Sequence, residues 1–146
     1  MTLLSGCEGW LFGSSEEEKD CYEGGRREIR LNFPDSDSGR GTATFGSCTA
    51  TIRGKQGFPY PKDVNICANG EQCKWRSRYS REFETDMPYA VGPIDWRRGV
   101  FIHQGITWLW DSNGCIRLAE EDAKKIYDYI GDNQKTRVLV SYKWAS

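Results

Sequence analysis

One histidine and one cysteine in this chain are spaced for acyl-transfer chemistry. His103 is the single histidine among 146 residues, and it stands twelve positions before Cys115 in the run HQGITWLWDSNGCIRL. A free thiol with a pKa near 8.5 is only about 3 % thiolate at pH 7, and a neighbouring imidazole is the usual group that takes its proton. Ser112, Asn113 and Gly114 are turn formers, which places Cys115 on a turn rather than among the inert buried cysteines of a core. Arg117, two positions on, could depress the thiol pKa or bind a substrate carboxylate; a solvated surface arginine is the plainer alternative. Asn113 can donate a hydrogen bond to a developing oxyanion but cannot titrate. Trp108 and Trp110 lie between base and nucleophile. Either they form a wall against which a sugar or a peptide packs, or they tuck into the core as alternate strand positions with Leu109 opposite.

Positioning such a pair takes a strand on one side and a turn on the other. Gly99 to Ile102 is β-branched and aromatic and is expected as a strand delivering His103 at its end. The chain after Cys115 is expected to turn helical. Residues 120–130 (EEDAKKIYDYI) repeat Ala123, Ile126, Tyr127 and Ile130 at helical spacing, with Glu120, Glu121 and Asp122 in the first turn and Gly131 at the stop. Arg27 to Phe33 alternates as a strand, followed by a turn over PDSDSGR. Gly41 to Arg53 reads as a long strand or hairpin element kinked at Gly46. Residues 56–81 carry little periodicity and read as an insertion or lid near the site. Met87 to Val91 is a short strand, and Thr136 to Trp144 a closing strand with Val138, Val140, Tyr142 and Trp144 on one face. The chain reads as one mainly β domain over residues 1–146 with one helix beside the cysteine turn.

Composition narrows the partners. The net charge is −1, from 20 basic and 21 acidic residues, so no field favours nucleic acid or an anionic membrane. The N-terminus shows neither a basic leader nor an apolar run long enough for a Sec signal or a membrane span, so no membrane insertion is expected, and a signal removed from the chain, a phage origin and injection by a secretion machine all stay open. Six cysteines suit an oxidising destination. With Cys115 reserved, at most two disulfides remain: Cys67–Cys73 around an Asn-Gly turn, and Cys7–Cys21 bracketing the N-terminal segment. Zinc would want paired C-x₂₋₄-C units or more histidines, so no metal and no cofactor is expected.

FIHQG followed by SNGCIRL resembles the signature of the L,D-transpeptidase catalytic domain (YkuD-like) family, over Met87 to about Ile130. The resemblance implies a β-sandwich and attack by a thiolate on the bond between an L-centre and a D-centre in a peptidoglycan stem peptide, the acyl group then passing to an amine or to water. Carried over by position, it makes Cys115 the nucleophile and His103 the base. The Gln104 backbone carbonyl would orient the imidazole, and amides around Gly114 and Cys115 would form the oxyanion hole. Ser112, Asn113, Arg117, Trp108 and Trp110 would contact substrate. Asn113 stands where the family usually has a second histidine, Gln104 where it has glycine, and the intervening loop is short; these departures bear on substrate range and rate.

Two other classes compete with this one: a cell-wall-binding module that keeps the fold without the chemistry, and a cysteine peptidase unrelated to the wall. For the enzyme reading, transpeptidation, D-amino-acid exchange and L,D-carboxypeptidase action stay open. The substrate lies outside the cytoplasmic membrane, so the expected role is that of an antibacterial effector delivered to a target periplasm, with a cognate immunity protein as a further partner.

Overall fold

The computed structural model describes residues 20–81 and 83–145. Its strands form one nine-stranded sheet: β1 (Arg27–Phe33), β2 (Arg40–Phe45), β3 (Cys48–Arg53), β4 (Asp63–Ile66), β5 (Lys74–Ser80), β6 (Thr85–Asp95), β7 (Val100–Gln104), β8 (Ile116–Leu118) and β9 (Thr136–Tyr142), in the spatial order β4-β9-β1-β2-β3-β8-β7-β6-β5. The pairs β1–β9 and β7–β8 are parallel and the rest antiparallel. A helix, α1 (Glu120–Tyr129), packs on β6, β7 and β8.

Alternation explains the regular strands. Ile29, Leu31 and Phe33 on β1, Ala43 and Phe45 on β2, Ala50 and Ile52 on β3, and Val138 and Val140 on β9 all point into one core, with more exposed residues between them, polar on β1 to β3 and Leu139 on β9. Gly46, at φ +59, makes the β2–β3 hairpin turn, and a side chain there would strike the Cys21 carbonyl. Ala123, Ile126 and Tyr129 of α1 face the core; Tyr127, expected on that stripe, is only half-buried and stacks edge-on with Tyr89.

The two edge strands, β4 and β5, are neighbours in sequence, joined by a short loop that the Cys67–Cys73 disulfide closes. A sheet whose opposite edges meet at one short loop must curl over on itself. Residues 56–81 therefore supply both sheet edges, and Tyr60 a core side chain, rather than an insertion or lid. Their weak periodicity has a physical source, since an edge strand such as β5 (KWRSRYS) turns much of its surface to water.

Three further expectations are corrected. The strand expected over Met87 to Val91 runs eleven residues, Thr85–Asp95. Cys115 leads into β8, not directly into a helix, so α1 begins only after that strand. Cys21 is bonded to Cys48, which excludes the Cys7–Cys21 pairing. The backbone decides this: the Ser47 amide donates to the Cys21 carbonyl, which brings the two α-carbons to 5.4 Å. Cys7 itself lies outside the described residues, as does most of the polar stretch 14–20.

Candidate active site

β7 is buried on both sides and β8 nearly so, and their alternation sends side chains to two different apolar clusters. Val100, Ile102, Ile116 and Leu118 enter the main core. Ile102 pairs with Ile116 and His103 with Arg117, so Phe101, His103, Cys115 and Arg117 share the opposite face. There Cys115 packs with Met87, Ala90 and Phe101 in a small second apolar cluster. His103 lies within β7, one residue before its end.

The two predicted residues open on one cleft of about 330 Å³, lined among others by His103, Gln104, Trp110, Asn113, Cys115 and Arg117. His103 Nδ1 sits 2.7 Å from the Gln104 carbonyl oxygen. A carbonyl only accepts, so Nδ1 carries the proton of the neutral ring and Nε2 is left as the acceptor. Burial pushes the imidazole down from 6.5 to about 4, with the positive charge of Arg117 acting in the same direction against the Gln104 hydrogen bond.

The thiol does not hydrogen-bond the imidazole. Cys115 Sγ accepts from the Phe101 amide at 3.5 Å and lies 3.9 Å from the Gly99 carbonyl and 4.0 Å from Met87 Sδ. Burial raises its pKa from 9.0 to about 11, opposed by the Phe101 amide. The resting pair is thus a neutral thiol and a neutral imidazole.

The turn that presents Cys115 is held from several sides. Ser112 Oγ donates to the Cys115 carbonyl and accepts from the Gly114 amide at 3.0 Å. Tyr60 donates to the Gly114 carbonyl at 2.6 Å and accepts from the Lys55 amide. Gly114 takes φ +149, a conformation that favours glycine, and a side chain there would press on the rings of Phe58 and Phe83. Ser112, at the wall of the same cleft, is thus a buried brace of the turn, and the Gly114 amide, expected in the oxyanion hole, is engaged within the turn. Asn113 is exposed at the cleft wall.

The loop between His103 and Cys115 is set by charges that the sequence reading missed. Asp111 accepts from the Gly39 amide at 2.9 Å, from Arg53 Nε at 2.8 Å and from the Gln56 amide at 2.8 Å. Its position just before S-N-G-C was the available signal, but its partner Arg53 is 58 residues away. Arg117 Nη2 donates to the Trp110 carbonyl, its stem fills the space a Gly105 side chain would occupy, and its buried Nε has no acceptor among the described residues. Trp108 and Trp110 are 72 % and 65 % exposed, which removes the core alternative; Trp110 lines the cleft and Trp108 does not. Among the described residues no group of three His, Cys, Asp or Glu side chains comes together that could hold a metal.

The family model of the L,D-transpeptidase catalytic domain (YkuD) matches residues 22–140, most of the chain. The chain belongs to that family. Solved L,D-transpeptidases share the fold: one from Stackebrandtia nassauensis (17 % identity, TM-score 0.51, 84 % of this chain and 60 % of that one), one from Mycobacterium tuberculosis H37Rv (19 %, 0.55, 79 % and 58 %) and one from Xylanimonas cellulosilytica (16 %, 0.53, 80 % and 62 %). At those identities the likeness is one of fold, and this L,D-transpeptidase-family chain spans about 60 % of the solved chains. Among curated proteins, none matches the sequence.

Proposed function

We propose that this protein is a cysteine-dependent acyl-transfer enzyme acting on peptidoglycan stem peptides. The observation that carries the reading is the shared cleft of Cys115 and His103, with Nδ1 fixed by Gln104 so that Nε2 is the free base. When a stem peptide enters, the thiol turns from Phe101 and Met87 towards the imidazole. Nε2 takes the Sγ proton as sulfur attacks the carbonyl carbon, and the oxyanion collects hydrogen bonds from the Asn113 side chain and the Cys115 amide. Collapse breaks the C–N bond, and the imidazolium returns its proton to the departing amine. The thioester then passes to an amine (transpeptidation or D-amino-acid exchange) or to water (L,D-carboxypeptidase action), regenerating the thiol. Arg117 is the basic side chain of a cleft whose lining also holds Asp86 and Asp111, and it pairs with a carboxylate of the stem.

Two disulfides support work in an oxidising compartment, and the substrate lies outside the cytoplasmic membrane. The role we infer is that of an antibacterial toxin acting in a target periplasm and restrained by a cognate immunity protein. A second reading, a wall-binding module without turnover, draws support from the raised thiol pKa and the missing thiol–imidazole hydrogen bond. Incubation with purified sacculi and mass analysis of the muropeptides decides between them. Stem peptides shortened by their terminal D-residue or joined to a new amine are expected; unaltered muropeptides with protein bound to the wall would leave the binding module.

A further inference from the structure

The loop between β7 and β8 displays four large apolar side chains: Ile106 at 41 % exposure, Trp108 at 72 %, Leu109 at 49 % and Trp110 at 65 %. Such a concentration on a domain of this size marks a surface used for binding. It is not a loose tail. The Gly105 amide donates to the Leu118 carbonyl at 2.8 Å, Arg117 holds the Trp110 carbonyl, and Asp111 ties the far end to Gly39, Arg53 and Gln56. The indoles are thus presented from a fixed base, which lowers the ordering cost of binding.

The patch is continuous with the cleft through Trp110, and residues 105–110 (GITWLW) carry no charge. An anionic lipid surface would be met with lysines and arginines; a neutral ring with an apolar face suits an indole, whose N–H can also reach a hydroxyl. On the stem-peptide reading, the peptide in the cleft hangs from a sugar, so amino-sugar rings must lie beside the cleft mouth. We propose that Trp108 and Trp110 stack on the glycan strand of peptidoglycan, making the enzyme a reader of sugar as well as peptide.

The test is a titration of intrinsic tryptophan fluorescence with peptide-free glycan strands, prepared by amidase digestion of sacculi, with turnover of a free stem tetrapeptide measured in parallel. A saturable change is expected, weakened about tenfold in Trp108→Ala and retained in Trp96→Ala, the latter removing an exposed indole that lines a separate groove. No saturable response to glycan, or equal binding by Trp108→Ala, overturns the proposal. So does a response to phosphatidylglycerol vesicles in place of glycan. Tetrapeptide turnover without glycan binding sinks the sugar site and leaves the enzyme reading; glycan binding without turnover does the reverse.

Discussion

The run β9-β1-β2-β3 and the run β8-β7-β6 belong to one sheet but obey different rules. In the first, alternation is regular and apolar residues fill one core. In the second, β7 is buried on both faces, β6 shifts register between Val91 and Asp95, and Tyr89, Gly92, Gly99 and Gly114 all take positive φ. A thiol and an imidazole are desolvated there, and an arginine Nε is buried with no acceptor among the described residues. Departures from local rules collect where the chain holds groups in costly states, which is what the proposed division into a stabilising half and a catalytic half predicts.

Exchanging the kinds of damage between the two halves gives the largest effects. Cys115→Ala should abolish turnover of sacculi, a loss of at least about 10³-fold, while melting close to wild type, because only one small side chain leaves the cluster of Met87, Ala90 and Phe101. Leu31→Ala, on the regular side, should lose roughly 2–5 kcal/mol of stability and keep its activity per folded molecule. Thermal melts and muropeptide analysis of both variants check the pair. Turnover by a folded Cys115→Ala protein would end the nucleophile assignment.

His103→Gln comes next, with an expected activity loss of about 10²- to 10⁴-fold. Its signature lies in pH. The folded imidazole titrates near 4 instead of 6.5, so the folded state resists protonation. The stability it confers is present above about 6.5 and is lost as pH falls through 4; the acid limb of wild-type kcat/KM should follow the same group. The variant should show a flatter stability curve in that window. On the alkaline side, iodoacetamide should label wild-type Cys115 slowly at neutral pH and faster towards pH 11, where the thiol ionises. Fast labelling at pH 7 would mean a thiolate–imidazolium pair and a wrong account of the resting site.

The same division governs what could be read in advance. The bounds of β1 are those its alternation predicts, and α1 ends within a residue of the expected stop because stripe, acidic first turn and glycine agree. That His103, Gln104 and Cys115 come together at one cleft was legible because a local motif carries them. What stayed hidden depends on distant partners. Cys21 meets Cys48 only once the β2–β3 hairpin has formed, and Asp111 meets Arg53 only once the sheet has curled. β8 is too short for periodicity to register. The direction of the thiol depends on Met87 and Gly99, which no spacing relates to Cys115.

Tyr60 joins the two regions and gives the finest test of their separation. Its ring lies in the regular core, against Phe33, Phe58, Tyr142 and Trp144. Its hydroxyl reaches out of that core to the Gly114 carbonyl and receives the Lys55 amide. Tyr60→Phe keeps the ring and leaves the Gly114 carbonyl and the Lys55 N–H without this partner, an expected loss of about 1–3 kcal/mol. Ser112 still braces the turn from the other side, so Cys115 should be presented less firmly rather than lost. The expected outcome is a kcat lowered severalfold with KM little changed, since misplacement of a nucleophile acts on the chemical step more than on binding. Melting curves and steady-state kinetics on one preparation read both quantities. A drop in stability with kcat intact would show that Ser112 alone holds the turn, and that the core reaches the site through packing rather than through this hydroxyl.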